Sequence, residues 1–210
     1  MQPKVTLYIA MSLNGRINGF EINKKVYREF KSKIHSDAVV LDVEAFKMHH
    51  DIFEETEANL KQLIVLPDSK GIIPRNILNK VSSSLNVLVL CSRSTPQGYL
   101  NFLEESDIKY MIVGYDEVKI ATAFEELNVQ FGVKDIAVLA DGILNGELLE
   151  EDLVEELSVF MHPTLVGSNS DGIYISNEGI NQNLDLRLLE MKEMENEIIY
   201  LNYRIMKYKF

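Results

Sequence analysis

Short, unbroken apolar runs separated by mixed stretches dominate the first two-thirds of the chain. Ala38 to Leu41, Leu63 to Leu66, Val87 to Leu90, Tyr110 to Val113 and Ile136 to Leu139 are too short for helices and lack the alternation of a half-buried strand. Such runs suit strands covered on both faces, as in a parallel sheet flanked by helices. Lys4 to Ala10 reads as the first strand, closing on the turn-rich Ser12-Leu13-Asn14-Gly15, after which Val26, Phe30 and Ile34 recur at helical spacing. The clearest helix carries Ile120, Phe124, Leu127 and Phe131 on one stripe ahead of Gly132. This alternation of elements predicts an α/β sheet.

The last third changes character. Leu153 to His162, Leu184 to Glu193 and Ile198 to Lys209 read as long strands, with no convincing helix between the final two. In the last, Ile199, Leu201, Tyr203 and Ile205 alternate with Asn202 and Arg204, the pattern of a strand with one wetter face. The prediction is a mostly parallel central sheet flanked by helices, ending in an antiparallel C-terminal hairpin. That mixed order, and the lack of a G-x-G-x-x-G after the first strand, argue against a doubly wound dinucleotide-binding fold. No repeat, low-complexity stretch or flexible linker divides the sequence, so residues 1–210 are expected to form a single domain.

Composition narrows the partners. A formal charge of -11 disfavours attraction to nucleic acid or anionic lipid, and Glu54-Glu55 and Glu150-Glu151-Asp152 read as solvated helix faces. No run approaches the ~18 apolar residues of a membrane span, and no secretory signal opens the chain, so a cytoplasmic protein is expected. The single cysteine, Cys91, follows the apolar run from Asn86 to Leu90 and reads as a buried, inert thiol. His49, His50 and Asp51, with His35 or His162, lack the i, i+4 spacing of helical zinc ligands, so no metal is expected. There is no G-x-S-x-G, P-loop or Cys-His arrangement for hydrolase or kinase chemistry.

Several segments, in order, carry a resemblance. Val5 to Ile17 (VTLYIAMSLNGRI) is similar to an apolar strand running into A-x-S-L-D-G-R. Asp37-Ala38-Val39-Val40, Leu66-Pro67-Asp68-Ser69 before Ile73-Pro74, and Leu144-Asn145-Gly146-Glu147-Leu148-Leu149 follow. Leu153-Val154-Glu155-Glu156-Leu157, then Pro163, Leu165 and Gly167, close the series. Across nearly the whole chain the sequence resembles the C-terminal reductase domain of the bifunctional riboflavin enzymes and its stand-alone archaeal relatives, which have a dihydrofolate reductase-like fold. The resemblance implies reduction of a phosphoribosylamino-pyrimidinone, such as 5-amino-6-(5-phosphoribosylamino)uracil, by hydride transfer from NADPH, in a homodimer. The sequence opens directly on the reductase-like strand, so the deamination carried out by the fused domain of bifunctional relatives is expected to happen elsewhere.

Hydride transfer asks mainly for a dry slot that holds two carbons at reaction distance, so no catalytic side chain is assigned. Met11 to Ile17 is expected to floor the nucleotide and substrate cleft, with Ser12, Asn14 and Gly15 binding substrate where a strand ends and backbone groups are exposed. The plain alternative is a strand-to-loop turn. Ala10, at the end of the first strand, is expected among the cofactor-binding residues. The resemblance places Asp68 and Ser69 near the adenosine ribose or its phosphate, where Arg93 or Lys70 would neutralise a 2'-phosphate. A surface turn is the competing reading.

Three departures from the family pattern bear on the cofactor. Asn14 replaces an aspartate, which removes a charge and a possible proton acceptor. Asp141-Gly142-Ile143-Leu144 stands where relatives have a glycine turn approaching the pyrophosphate, with one glycine left and a carboxylate added. Asp42-Val43-Glu44-Ala45 replaces a G-x-x-T segment, so a hydroxyl is missing at Ala45 and Asp42 and Glu44 stand near a possible anion site. Two readings therefore remain: an NADPH-dependent reductase, or a non-catalytic or repurposed ligand-binding member of the same fold with an eroded cofactor site.

Overall fold

The computed structural model describes residues 2–21, 34–47, 62–140, 142–167, 172, 175 and 183–207. Val26, Phe30, Glu54, Glu55, Asp141 and the His49-His50-Asp51 run lie outside them. Among the described residues the strands are β1 Lys4–Ser12, β2 Ala38–Leu41, β3 Leu63–Pro67, β4 Asn86–Cys91, β5 Lys109–Ile112, β6 Asp135–Leu139, β7 Glu156–His162, β8 Leu186–Glu193 and β9 Ile199–Ile205. The helices are α1 Arg75–Ser82, α2 Gln97–Glu105, α3 Ile120–Phe131 and α4 Gly142–Glu150. The chain divides into two compact units, one of Met1–Pro3 with Ser36–Ile136 and one of Lys4–His35 with Ala137–Phe210.

In the first unit the strand order is β5-β4-β3-β2 and every pairing is parallel. All of β2, the first four residues of β3 and the last five of β4 are buried. Strands covered on both faces have no wet side to alternate with, which is why their sequences read as solid apolar runs. β5 is the exception. It stands at the end of the order, and none of its residues is fully buried; Val113, expected within it, is buried just beyond its end.

The helices of this unit turn one apolar face inward: Leu78 and Val81 from α1, Tyr99, Leu100, Phe102 and Leu103 from α2, and Ile120, Ala123, Phe124 and Leu127 from α3. Phe131 does not join the last group, being 42% exposed. It sits in the final turn, where Gly132 at φ 69° ends the helix and redirects the chain, so its side chain loses the core. Asp37, from the Asp37-Ala38-Val39-Val40 run, has a framework role. Its carboxylate accepts the N–H groups of Lys134 and Asp135 at 2.8 and 3.1 Å and so fixes the start of β6.

The second unit orders its strands β6-β1-β7-β9-β8. β1 and β7 are parallel, whereas β7–β9 and β8–β9 are antiparallel, as the hairpin expectation required. β1 is two residues longer than the apolar run suggested and ends at Ser12. β7 begins at Glu156 instead of Leu153, and β9 ends at Ile205 instead of Lys209. Leu153 and Val154 are buried ahead of β7, where they pack without joining its ladder. The pairings, mostly parallel with an antiparallel ending, are those the pattern predicted, and they give the dihydrofolate reductase-like architecture that the resemblance implied.

Candidate functional site

In the second unit the expected binding floor is a closed turn at the end of β1. Ser12, wholly buried, donates its N–H to the Arg16 carbonyl at 2.8 Å, while its carbonyl accepts the Gly15 N–H at 2.9 Å. Its hydroxyl accepts the Arg16 N–H and donates to Asn14 Oδ1, both at 2.9 Å. Gly15 has φ +77°, a left-handed geometry that side chains with a Cβ rarely adopt.

This turn is held by the segment that follows β7. The Leu13 N–H reaches the Thr164 carbonyl at 2.9 Å. Asn14 Nδ2 donates to the Val166 carbonyl at 2.9 Å, and Val166 N–H donates back to Asn14 Oδ1 at 3.0 Å. The β1–β7 register places Ser12 opposite His162 and Ala10 opposite Phe160. His162 is buried, and its ring lies 5.0 Å from that of Phe20; burial pushes its pKa down and favours the neutral imidazole. Leu13 and Leu165 remain exposed beside the clamp.

Of the other positions expected in this unit, Gly142 is buried as the first residue of α4, Ile143 is exposed and Leu144 buried. Gly142, the one glycine left where the resemblance places a glycine turn, opens that helix. Asn145 ties that helix to the end of β6 by donating Nδ2 to the Ala140 carbonyl at 3.1 Å.

In the first unit, the remaining cofactor candidates follow the carboxyl ends of three successive parallel strands, where open α/β sheets present ligand-binding loops. Asp42 follows β2, Asp68 and Ser69 follow β3, and Arg93 follows β4. Asp42 Oδ1 accepts the Ala45 N–H at 2.7 Å and so caps the helical stretch 43–47, in which Ala45 is buried and Glu44 points outward.

Asp68 is almost fully buried. Its two oxygens accept the Ile72 and Ile73 N–H groups, each at 2.9 Å, which closes the turn into α1. Ser69 Oγ accepts the Val118 N–H at 2.9 Å, and its carbonyl accepts the Thr95 hydroxyl at 2.8 Å. Thr95 Oγ1 in turn accepts the Ser92 N–H at 2.9 Å.

Ser69 thus laces together the loops after β3, β4 and β5, while the Asp68 carboxylate is engaged within its own loop. Arg93 is different. Its N–H bonds the Gly114 carbonyl, but its exposed guanidinium has no hydrogen-bond or ion-pair partner among the described residues.

Beneath this loop cluster Tyr99 is buried against Gly71, where an added Cβ would lie 2.8 Å from the Tyr99 ring. Burial, and then the nearby Asp68 carboxylate, push the Tyr99 hydroxyl far above its ordinary range, although the two make no hydrogen bond of normal geometry.

Sequence reasoning missed Thr95, Thr164 and Val166, which hold these loops, and it considered His162 only as a metal ligand. Thr95-Pro96 ahead of α2 was a readable helix-start signal for the first. Val166 meets Asn14 across 152 positions by its backbone alone, so nothing in its side chain announces the contact. Asp141 and the histidine pair fall outside the described residues; His35 is exposed and His162 buried, with no shared cluster of metal-ligating side chains among the described residues.

The profile of the RibD C-terminal domain matches residues 3–200. Among solved structures, a pyrimidine reductase-like protein from Corynebacterium diphtheriae superposes with a TM-score of 0.76 at 14% identity, covering 98% of this chain and 93% of that one. Acinetobacter baumannii RibD gives 0.73 at 18% identity over 98% of this chain and 59% of its own. The Saccharomyces cerevisiae riboflavin biosynthesis reductase Rib7 gives 0.70 at 18% identity over 98% and 90%. The fold likeness extends to dihydrofolate reductase from Enterococcus faecalis, at a TM-score of 0.52, 12% identity and 97% coverage of both chains. With the family profile spanning all but the two ends, this chain belongs to the RibD C-terminal domain family.

Proposed function

We propose that this protein is a cytoplasmic, homodimeric reductase that transfers hydride from NADPH to a riboflavin-precursor pyrimidinone of the 5-amino-6-(5-phosphoribosylamino)uracil type. The observation that carries this reading is the family match over residues 3–200. Relatives named as a pyrimidine reductase-like protein and a riboflavin biosynthesis reductase support it.

NADPH, when bound, supplies the hydride; the chain supplies position and dryness. Ser12, Asn14 and Gly15 contribute a turn already closed by its own hydrogen bonds, so little ordering entropy is left to lose when substrate arrives. Arg93, with its fork of donors uncommitted, fits the 2'-phosphate that distinguishes NADPH from NADH. The fit is incomplete at Asp42, whose carboxylate already caps the helix start that follows β2. That observation favours a second reading, a fold-mate that binds a heterocycle without using the nucleotide.

Titration with NADPH and NADH, followed by nicotinamide fluorescence, separates the two. Binding of NADPH, with oxidation of the cofactor on adding the pyrimidinone, is the expected result. Arg93→Ala should weaken NADPH by about tenfold and leave NADH nearly unchanged, the loss of one exposed charge-assisted contact. No binding at millimolar cofactor rejects the reductase reading in favour of the second. Equal losses for both nucleotides reject the role given to Arg93.

A further inference from the structure

β8 is exposed at every position, including Leu186, Leu188, Leu189 and Met191, the last 68% exposed. One edge pairs with β9; the strand stands last in the order, so its other edge has no neighbouring strand among the described residues. Its leucines and methionine share the strand with Arg187, Glu190, Lys192 and Glu193, and an unpaired edge of this kind offers its backbone to another chain while its charges restrict which chain fits.

Registry with β9 sorts the side chains of β8 by face. Leu186, Leu188 and Met191 lie across from Ile205, Tyr203 and Leu201, on one face. Arg187, Glu190 and Lys192 lie across from Arg204, Asn202 and Tyr200, on the other. In a regular strand Leu186 and Met191, an odd number of residues apart, would point to opposite faces. A bulge between Leu188 and Glu190 inserts Leu189 and brings them to the same one.

We propose that β8 pairs antiparallel with β8 of a second copy of this chain, about a twofold axis between Leu188 and Leu189. In that register Leu188 faces the partner's Leu189, Arg187 the partner's Glu190, Leu186 the partner's Met191, and Asp185 the partner's Lys192. From Asp185 to Lys192 each apolar residue meets an apolar one and each charge an opposite charge, with Leu186–Met191 on one face and Arg187–Glu190 on the other; the terminal Glu193 falls opposite the partner's Leu184, which lies outside the strand. The bulge is what makes the faces agree.

Neighbouring registers fail. An axis between Leu189 and Glu190 sets Arg187 against Lys192 and Leu186 against Glu193. One between Arg187 and Leu188 sets Asp185 against Glu190. An axis through Leu189 puts Leu188 against Glu190 and Leu186 against Lys192, crossing the faces. Like charges directly opposite are destabilising, and slipped registers bury the wrong face, so the sequence of β8 singles out one pairing.

The two bulges meet at the axis, where each matches the irregularity of the other. The pairing closes on itself as a twofold dimer and uses up the free edge of β8 in both copies, so neither β8 is left to take a further strand. It supplies the interface for the homodimer proposed above, on which it rests.

Sedimentation of the full chain tests it, with circular dichroism to show that each variant is folded. The wild type is expected to be a dimer. Arg187→Glu and Glu190→Arg should each weaken dimerisation by about tenfold or more, because the twofold repeats every facing pair, and the double exchange should restore it. An independent measurement mixes Arg187→Cys protein with Glu190→Cys protein and oxidises. A covalent dimer containing one copy of each is expected, well above the yield from either alone, and the native Cys91 is buried and does not compete. A wild type that stays monomeric overturns both the interface and the homodimer. A dimer indifferent to the charge exchanges, with no mixed disulfide, overturns the interface and leaves the homodimer standing.

Discussion

The side-chain amide of Asn14 and the backbone of Val166 exchange two hydrogen bonds, Nδ2 to carbonyl at 2.9 Å and N–H to Oδ1 at 3.0 Å. An amide does this as one more strand residue would, offering a donor and an acceptor side by side. A carboxylate offers acceptors only. Where relatives are read to carry aspartate, this chain has the one isosteric side chain able to satisfy both Val166 groups. Asn14→Asp should therefore keep the bond from Val166 N–H, set an oxygen against the Val166 carbonyl, and lower stability by about 0.5–1.5 kcal/mol, the pair being exposed. Denaturant unfolding checks the loss, and hydrogen exchange should show residues 12–16 and 164–167 opening together. If the aspartate variant is as stable as the wild type, Asn14 is not the clamp described here.

Much of the architecture was legible because burial writes itself into sequence. β2 and β3 are solid apolar runs since both faces are covered, and the wetter β9 alternates. Ends were less legible: Phe131 continued a helical stripe that Gly132 cuts short, and Leu153-Val154 looked like strand while packing ahead of it. The site was the least legible part. Asp68 and Ser69 have the composition of a ligand loop, yet their partners are backbone amides of Ile72, Ile73 and Val118, which no residue type encodes.

Glu156 sits in β7 with its carboxylate between Lys4 Nζ at 3.0 Å and an Arg204 guanidinium nitrogen at 3.2 Å. Burial alone would raise its pKa, but hydrogen bonds from Lys4 and Arg204, the Lys4 charge and a further bond from Asn202 outweigh it and hold the carboxyl below its ordinary value. A folded-state pKa depressed in this way contributes stability that is present above the unfolded pKa and lost as pH falls through the folded one. Glu156→Gln should cost about 1 kcal/mol near neutrality, modest because both cations are largely exposed. Melting curves across the acid range should show that difference shrinking to nothing as the wild-type carboxyl protonates. A gap that stays constant down to the lowest pH would assign the effect to packing.

Cys91 ends β4 fully buried, and burial, then the Asp68 charge, push its thiol up to about 12. The thiolate is the reactive form, so at mildly alkaline pH the folded protein should resist maleimides and disulfide reagents. Labelling should become fast only in denaturant, at the midpoint seen by circular dichroism. Rapid labelling under native conditions would show that β4 opens locally.

Asp42 raises the sharpest question for the cofactor, because its carboxylate caps residues 43–47 at the carboxyl end of β2 while the family resemblance places an uncharged G-x-x-T segment there. A helix start favours anions, and one that already holds a side-chain carboxylate has satisfied part of that preference internally. Removing the cap with Asp42→Ala should cost about 1 kcal/mol of stability, whereas Asp42→Asn, Ser or Thr should retain most of it, since each still presents an oxygen to the Ala45 N–H. Charge and cap are thereby separated. If nucleotide phosphate approaches this corner, Asp42→Asn should tighten NADPH by several-fold at low salt, with the gain shrinking as ionic strength rises, as expected when a like charge is removed. Fluorescence titrations at two salt concentrations measure both effects. An affinity that does not move, in a variant as stable as the wild type, would place the phosphates away from Asp42 and remove the observation that favours the non-nucleotide reading.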